Sequence, residues 1–411
     1  MVSFFPKRFL RGERNAPQSA DAADTAAIEA GFIDARGRRE YFQMALAAFL
    51  VSFMYSHAAL LAVVFARENF DLHATGLLLS LYAFPVILFT FLSGAVAARI
   101  GVLGTCRIAV ALMIVGFFSL RYTAAEFWPA LISRLVQGVG QGLLLSSFVT
   151  YAQSRLNMRR FIYLIGLFSS MFAVGQAFAP PFGAYVLNAF GAQTMFLEGA
   201  IPACIGLALT FGVRPIPRPR ARGLDLSSSL KRSQIFAFAA VFVNGTMFGF
   251  TAAFLAALLQ AKALPIGAFF LASTTTLFAS RFLAMGAFEA IDRQILVAGG
   301  FLAQGAGFAL LALAGQSWLI VISGVLFGMG YSVVYPVLSA WMSEGVEPSE
   351  RAGPQALLNT AFNIGIFLMP YPQALLIDAF GYGATAAILA ALALFAACAL
   401  FTLYLRTGRR A

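Results

Sequence analysis

Apolar stretches without Asp, Glu, Lys or Arg dominate the pattern of hydrophobic and polar positions along the chain. Such stretches cover 41–66, 76–98, 233–261, 294–343 and 352–377. Each is longer than the ~20 residues that a helix needs to cross the hydrocarbon core of a bilayer. The composition agrees, because only 11% of the residues are charged, whereas a soluble domain averages about 25%. The sequence therefore predicts an all-α membrane protein that crosses the bilayer many times.

We predict twelve transmembrane helices from this pattern. They cover residues 42–66, 75–97, 105–122, 128–151, 161–187, 195–213, 235–259, 265–288, 294–314, 318–341, 353–377 and 382–405. A segment rich in Pro, Arg and Ser separates six helices from six. We therefore expect an N-terminal six-helix bundle at 41–213, a cytoplasmic linker at 214–233 and a C-terminal six-helix bundle at 234–405. Residues 1–40 are expected to form a largely disordered cytoplasmic tail, and residues 406–411 a cytoplasmic C-terminus.

Short motifs recur between the two halves at nearly constant spacing. The following pairs are separated by 190 or 192 residues: Ser133 and Ser323, Gly138 and Gly328, Gly140 and Gly330, Gly175 and Gly365, Pro180 and Pro370, Gly191 and Gly381, and Gly94 and Gly286. Arg134 has no charged counterpart, because Gly324 stands at the equivalent position. The repeats predict two pseudo-symmetric bundles, and a duplicated helical unit of this kind places a small-molecule site between its halves, near the middle of the membrane.

The net charge of +11 is distributed asymmetrically across the predicted membrane. Of the 28 Lys and Arg residues, 23 lie on the side of the N-terminus, three lie on the opposite side (Arg67, Arg121 and Lys262), and two lie deep within helices (Arg134 and Arg281). An excess of Lys and Arg marks the cytoplasmic side. We therefore expect a protein of the cytoplasmic membrane with both termini in the cytoplasm, and we read the positive charge as a determinant of topology rather than as a nucleic-acid surface.

Neither the cysteines nor the glycines indicate cofactor chemistry. Cys106, Cys204 and Cys398 lie in or beside apolar segments, at spacings that fit neither a disulfide framework nor a metal site. Gly328-Met-Gly330 lies inside a predicted helix, and no Gly-rich phosphate loop follows a predicted strand. We expect no cofactor, no metal, no catalytic residue and no direct pumping by a nucleotide, and hence no enzyme. The 43 Phe residues suit a lipid-facing surface, and we assign them no other function from the sequence.

Two helix motifs resemble those of the major facilitator superfamily, and the resemblance covers residues 42–405. The segment Leu131-Ile-Ser-Arg134-Leu-Val-Gln137-Gly138-Val-Gly140 is similar to the fourth-helix signature, whose arginine is tied to proton coupling in that family. The segment Gly175-Gln-Ala-Phe-Ala179-Pro180-Pro181 is similar to the fifth-helix pattern found mainly in exporters of the drug–proton antiporter type, although that pattern prefers Gly where Ala179 stands. The later helices resemble efflux permeases that export sugars or metallophores.

A third motif of that family is incomplete here. The loop after the second helix reads Gly94-Ala-Val-Ala-Ala98-Arg99-Ile-Gly101, with Ala98 where the family usually has Asp. The corresponding segment of the second half reads Gly286-Ala-Phe-Glu289-Ala-Ile-Asp292-Arg293. In the family this loop latches the cytoplasmic side through a carboxylate. The resemblance therefore implies gating or structural roles for these residues, with a weakened latch in the first half.

Four ionisable residues within or near the predicted helices are candidates for function, because a charge in the membrane is costly unless it faces a polar cavity or a partner. Arg134 is expected to face the substrate, or else to be a structural charge satisfied by carbonyls. His57 and Glu198 are the candidate proton-carrying groups; the alternatives are a helix-packing histidine and a carboxylate that faces the headgroups. Arg281 is expected to serve structure or gating, by reaching the cytoplasmic surface or by pairing with Glu289.

Neutral polar residues complete the predicted site. They are Tyr55, Gln137, Gln141, Asn244, Tyr331, Tyr335, Asn359 and Asn363. Amides together with tyrosines suit a polar ligand held by hydrogen bonds between aromatic walls. Each of these residues could equally hold neighbouring helices together.

The function we predict is secondary active transport of a small organic solute by alternating access, with proton-coupled export as the first reading. The predicted partners are the solute, the lipid bilayer and protons, with no nucleic acid, and the protein is expected to be a monomer. One alternative is an importer of a siderophore-like or other anionic molecule. A second is a membrane receptor or assembly factor on the same fold that transports nothing.

Overall fold

The computed structural model describes residues 18–157, 160–218, 232–288, 291–342 and 352–407, and these residues are almost entirely helical. The helices of the first half are α1 (Gln18–Glu29), α2 (Ala35–Ser56), α3 (Leu61–Arg67), α4 (Leu72–Ser80), α5 (Ala83–Ile100), α6 (Val102–Thr123), α7 (Phe127–Gln153), α8 (Phe161–Phe190) and α9 (Ala192–Leu209). Those of the second half are α10 (Arg232–Ala253), α11 (Leu255–Ala261), α12 (Ile266–Phe288), α13 (Arg293–Leu313), α14 (Ser317–Met342), α15 (Ala352–Asn363) and α16 (Pro370–Thr407).

Nine helical segments among the described residues are long and apolar enough to cross a membrane. They are Ala35–Arg67, Leu72–Ile100, Val102–Thr123, Leu164–Phe190, Ala192–Gly212, Ile235–Ala253, Arg293–Leu313, Ser317–Met342 and Leu357–Leu405. α7 is 27 residues long but is not among the nine, because Arg134, Gln137 and Gln141 lower its hydropathy. The described protein is therefore a helical membrane protein with several crossings, and the number twelve stays a prediction.

Glycines with positive φ separate consecutive antiparallel helices. Gly101 lies between α5 and α6, Gly191 lies between α8 and α9, and Gly381 divides α16 into two helices. Gly191 and Gly381 have nearly identical backbones, with φ/ψ of 85/171° and 82/166°. This conformation strains residues with a Cβ, so glycine is required at both turns. The two turns have the same backbone conformation and occupy equivalent positions in the repeated sequence.

Small residues allow equivalent helix contacts in the two halves. A Cβ on Gly140 of α7 would collide with the Ala109 carbonyl of α6, and a Cβ on Gly330 of α14 would collide with the Gly300 carbonyl of α13. Close backbone approach at small residues is a main source of packing energy between helices in a membrane. The repeated glycines therefore conserve the same packing twice.

The N-terminal segment is structured from residue 18 onward, so the expectation of a largely disordered tail is wrong for its described part. After α1, Phe32 forms an isolated antiparallel bridge with Leu156. The side chain of Asn157 donates hydrogen bonds to the carbonyls of Ile28 and Phe32 at 2.9 and 2.8 Å. These bonds fix the segment against the loop that follows α7.

An ion-pair network around Glu40 explains this docking. Its carboxylate lies 3.0 Å from Arg155 Nε and 2.8 Å from Arg214 Nε, and its side chain is only 2% exposed. Arg214 also pairs with Asp34 at 3.3 Å, and its hydrogen bond to Glu40 raises the pKa of the guanidinium. A buried carboxylate is tolerated only when it is paired. Glu40 therefore ties the start of α2 to the end of α7 and to the segment after α9.

Three crossings are irregular where they approach the centre of the molecule. α2 and α3 are joined by a 3₁₀ turn at His57–Leu60, and α10 and α11 by the non-helical residue Phe254. α15 continues into a π-helical segment at Ile364–Leu368. Single π turns within helices are frequent at functional sites.

Candidate functional site

A cavity of about 750 Å³ lies between helices of the two halves. Its lining from the first half includes Tyr55, Tyr82, Thr90, Arg134, Gln141, Ser146, Thr150, Gln176 and Pro180. Its lining from the second half includes Phe248, Ser273, Thr274, Phe327, Tyr331, Tyr335, Asn359, Phe362, Asn363 and Pro370. A concave site of this size, with apolar walls and a few polar groups, suits a small organic molecule.

Arg134 is the charged residue among the described lining residues. Its side chain projects from α7, where only 3% of the residue is exposed. The guanidinium lies 4.0 Å from the centre of the Tyr82 ring and donates a hydrogen bond to Gln137 Oε1. Its buried Nε has no hydrogen-bond partner. The first wall of the cavity thus carries a positive charge that no described carboxylate neutralises.

Uncharged polar groups surround this charge. Gln141 lies seven residues after Arg134 and therefore on the same face of α7, and its buried Oε1 accepts no hydrogen bond. Gln176 of α8 donates to the Tyr55 hydroxyl at 2.7 Å. The first wall therefore offers both hydrogen-bond donors and acceptors.

The second wall is aromatic. The Tyr331 ring of α14 lies between Phe248 and Phe327, at centroid distances of 5.0 and 5.8 Å and interplanar angles of 20 and 13°. Phe362 lies 6.4 Å from Tyr331 and 4.8 Å from Tyr335. The near-parallel rings stack on one another, so this part of the lining is an apolar aromatic cluster. These Phe residues contradict the reading of Phe as lipid-facing only.

A polar corner interrupts the aromatic wall. The Tyr335 hydroxyl donates a hydrogen bond to Asn359 Oδ1, and Asn363, one turn further along, also lines the cavity. Tyr335, Asn359 and Asn363, all candidates from the sequence, therefore lie together at this corner of the cavity.

The two halves are in contact on one side of the cavity. A Cβ on Gly76 of α4 would collide with Ala374 of α16, and the His73 imidazole stacks on the Tyr371 ring with centroids 5.0 Å apart. On the opposite side, where α1 lies, the lining continues to Thr150, whose side chain is exposed. The cavity is therefore closed at one end of the molecule and extends towards the other.

Two prolines at the start of α16 leave backbone groups free to form hydrogen bonds across the closed end of the cavity. Pro370 and Pro372 have no N–H, so the carbonyls four residues before them lack their usual helical donors. Ser80 of α4 donates to one of these, Leu368 O, at 3.0 Å and accepts from Tyr371 N at 2.7 Å. The Ser80 hydroxyl thus provides a hydrogen-bond partner for both the Leu368 carbonyl and the Tyr371 N–H, which lack their usual partners within the helix.

The structure places His57 and Glu198 together but outside the cavity lining. His57 Nε2 lies 2.9 Å from Glu198 Oε2, and His57 Nδ1 lies 2.9 Å from the Phe53 carbonyl. The imidazole is fully buried, and a Cβ on Gly183 or a bulkier residue at Gly199 would approach it closely. His57 therefore does not line the cavity, although its chain neighbours Ser56 and Ala58 do, and its role as a proton-carrying group stays a prediction.

Two predicted cavity amides are instead buried within the helix packing. Asn244 of α10 is fully buried and accepts a hydrogen bond from Gln304 of α13 at 2.9 Å. Gln137 accepts from Arg134 and is likewise fully buried. Both residues face neighbouring helices, because the rotation of each helix is set by its packing glycines rather than by its polar residues.

The residues assigned to gating or structure have different environments. Pro180 lines the cavity, while Pro181 lies against Gly267 of α12. Gly175 packs against Ser52 of α2. Gly94 faces open space and Arg99 is exposed.

The latch residues of the second half are only partly described. Asp292 precedes α13 and is exposed, and the Arg293 guanidinium lies 5.2 Å from the Trp341 ring centre. Arg281 belongs to α12, and Glu289 lies outside the described residues. The pairing of Arg281 with Glu289 stays a prediction.

Sequence analysis misses Tyr82 and Gln176 as lining residues. Gln176 stands inside the quoted motif Gly175-Gln-Ala, where an amide within an apolar helix is a usable signal. Tyr82 lies in a different helix from Arg134, and nothing in the sequence spacing indicates their contact.

The fold and the cavity together define a class of protein, namely a helical membrane protein that binds a small molecule between two sets of helices. A family model described as Major Facilitator Superfamily matches residues 44–288 and 235–411, and the chain belongs to this superfamily. Its members are transporters that bind small-molecule substrates in a membrane, not enzymes.

One curated relative and several solved structures are similar to this chain. The Methylenomycin A resistance protein of Streptomyces coelicolor (strain ATCC BAA-471 / A3(2) / M145) is 31% identical over 169 residues, which are 39% of this chain and 34% of that protein. The similarity thus spans about a third of the length of that relative.

Among solved structures, a mutant of the nucleoside transporter NupG has a TM-score of 0.76 at 16% identity and covers 89% of this chain and 100% of its own. The POT family transporter PepTSo has a TM-score of 0.71 at 12% identity and covers 90% of this chain and 98% of its own. At these identities the likeness shows the fold alone.

Proposed function

We propose that the protein exports a small organic solute across the cytoplasmic membrane by alternating access, and that proton entry drives this export. In this proposal the monomer has twelve transmembrane helices in two pseudo-symmetric six-helix bundles, with both termini in the cytoplasm. α7, α12 and the second part of the long segment Leu357–Leu405 complete the twelve. The linker lies at 214–233, between the bundles.

The observation that carries the proposal is the cavity between the halves, closed on one side and extending towards the other. With α1 in the cytoplasm, the contacts of Gly76, Ser80 and Tyr371 close the outer end. The exposed lining residue Thr150 then lies towards the cytoplasm. An exporter in this state would take its solute from the cytoplasm.

Two findings support export rather than import. The relative that matches part of the chain is named for resistance to methylenomycin A. Pro180, which belongs to the motif typical of exporters, lines the cavity and removes a backbone hydrogen bond from α8 at that point.

The pair of His57 and Glu198 is the proposed proton site. No described lining residue is a carboxylate, so the titrating group has to lie beside the cavity rather than in it. Phe53 and Phe117 enclose the imidazole, and Glu198 is its charged neighbour. Proton transfer to this pair alters a hydrogen bond at the 3₁₀ turn between α2 and α3, where Ala58 and Ala59 line the cavity.

Transport in inverted membrane vesicles tests this proposal. Methylenomycin A, sugars, metallophores and lipophilic cations are added to acidified vesicles, and release of protons is followed with a pH-sensitive dye. We expect at least one of these solutes to release protons in the wild type and not in Arg134→Ala. Unchanged release in Arg134→Ala would remove the role given to this side chain.

Import is the alternative that one observation favours, because the unneutralised Arg134 could bind an anionic ligand without proton exchange. Accumulation in energised right-side-out vesicles would favour import and contradict export. Absence of any flux would favour the receptor or assembly factor.

A further inference from the structure

We infer that the solute of the cavity is an amphipathic organic anion, with one acidic group and a flat apolar body. The inference rests on the proposed function, since it takes the cavity as the substrate site. It adds the chemical class of the substrate, and it holds for either direction of transport.

The acidic group follows from the surroundings of Arg134. A buried guanidinium without a counter-ion is costly in a membrane protein. Tyr82 and Gln137 are uncharged, and no described carboxylate forms an ion pair with Arg134. The buried Nε is an unused donor. Arg134 lines the cavity, so a carboxylate of the solute would neutralise the charge of its guanidinium, and guanidinium groups bind carboxylates in a planar, two-point geometry.

Gln141 favours a second polar group on the solute, next to the acidic group. Its buried Oε1 has no donor and lies on the same face of α7 as Arg134. A buried acceptor without a partner also costs free energy. Gln141 lines the cavity, so a hydroxyl or N–H on the solute, close to the acidic group, would satisfy this oxygen once the amide turns towards the cavity.

The apolar body follows from the opposite wall. Phe248, Tyr331 and Phe327 form a stack of nearly parallel rings along the cavity. Flat apolar groups pack well on aromatic faces. A solute that spans the cavity therefore places its acid on α7 and its body against α10 and α14.

The same arrangement disfavours lipophilic cations. No described residue of the lining carries a negative charge, and Arg134 repels a cation inside the cavity. This distinguishes the inferred solute from the cationic drugs in the test panel of the proposed function.

Three probes with one bicyclic body and different head groups test the inference. They are 2-naphthoate, 2-naphthamide and 2-naphthylmethylammonium, and their binding to the purified protein in nanodiscs is measured by thermal shift and by equilibrium dialysis. We expect 2-naphthoate to bind and to raise the melting temperature. The amide and the ammonium should bind more weakly by roughly tenfold or more, because they lose a hydrogen bond between charged groups.

Matched variants locate the binding. Arg134→Gln keeps a hydrogen-bonding side chain without the charge, and should abolish the preference for 2-naphthoate. Arg134→Lys keeps the positive charge and should retain part of the preference for 2-naphthoate. Arg121→Gln is the control, because Arg121 also has a buried Nε without a partner but does not line the cavity. Tyr331→Leu should weaken all three probes.

Three results would overturn the inference: tighter binding of the ammonium than of the acid, no binding of any probe, or unchanged preference for the acid in Arg134→Gln. The measurement needs neither flux nor a proton gradient. Binding of 2-naphthoate at Arg134 without proton release in vesicles would therefore support the inference while contradicting proton-coupled export.

Discussion

At the scale of single residues, Arg134 and Gly324 occupy equivalent positions with different surroundings. Gly324 packs against the Phe269 backbone, where a side chain would collide. Arg134 instead projects over Tyr82 into the cavity. The repeated frame therefore keeps its helix packing in both halves, and one half adds a charge. The sequence predicts this asymmetry, but it does not predict Tyr82, because contacts between different helices leave no spacing pattern.

Glu198→Gln tests whether the proton site is separate from the substrate cavity. The change keeps the size of the side chain and its capacity to hydrogen-bond to His57, but removes the carboxylate that we propose as part of the proton site. Since Glu198 does not line the cavity, we expect proton-driven transport to fall to background while equilibrium binding of the solute is retained. Vesicle transport and dialysis measure the two quantities.

Glu126→Gln is the matched control for this change, because Glu126 is exposed at the start of α7. It should leave both transport and binding unchanged. Loss of binding in Glu198→Gln, or proton-driven transport at the wild-type rate, would contradict a separate proton site.

At the scale of helices, most of the predicted helix bounds lie within a few residues of those in the structure, although α2 begins at Ala35 rather than at residue 42. The irregularities of the helices were not predictable. The 3₁₀ turn at His57–Leu60 contains neither Gly nor Pro. It follows from packing of the buried imidazole against α8 and α9. The π segment at Ile364–Leu368 lies just before Pro370, and both π turns and prolines are recognised causes of helix kinks. Apolar length determines that a helix crosses the membrane, whereas tertiary contacts determine where it breaks.

The N-terminal segment gives a prediction at the same scale. Glu40→Gln leaves Arg155 and Arg214 without their buried counter-ion. Removing one partner of a buried ion pair costs about 3 kcal/mol or more. We expect a lower free energy of unfolding in detergent and faster proteolysis within α1.

Glu29→Gln serves as the comparison, since Glu29 is exposed on α1, and it should change neither quantity. Equal stability of Glu40→Gln and the wild type would show that the network does not hold the segment. The sequence could not predict this docking, because the charges of residues 1–40 look like those of any solvated tail.

At the scale of the whole molecule, the sequence predicts the helical membrane class and the superfamily, both of which are confirmed. It predicts less well which polar residues face the cavity. Tyr55, Gln141 and Asn363 line it, whereas His57 and Asn244 do not. A helix of 3.6 residues per turn relates residues of one face to each other, but its rotation depends on neighbours that the sequence does not identify.

Distances across the two ends of the cavity test alternating access most directly. Spin labels are placed on exposed positions in a background without native cysteines. One pair, Glu68→Cys and Ala261→Cys, spans the closed end, and the other, Gln153→Cys and Ala340→Cys, spans the end that faces α1. Both distances are measured by pulsed electron resonance from about pH 5 to about pH 8, where histidine titrates.

Alternating access predicts reciprocal changes, in which the first distance lengthens as the second shortens. Gly76→Leu should favour the long first distance at every pH, because a side chain there collides with α16, whereas Gly94→Leu, which faces open space, should not. Two distances that stay fixed, or that lengthen together, would contradict alternating access around this cavity.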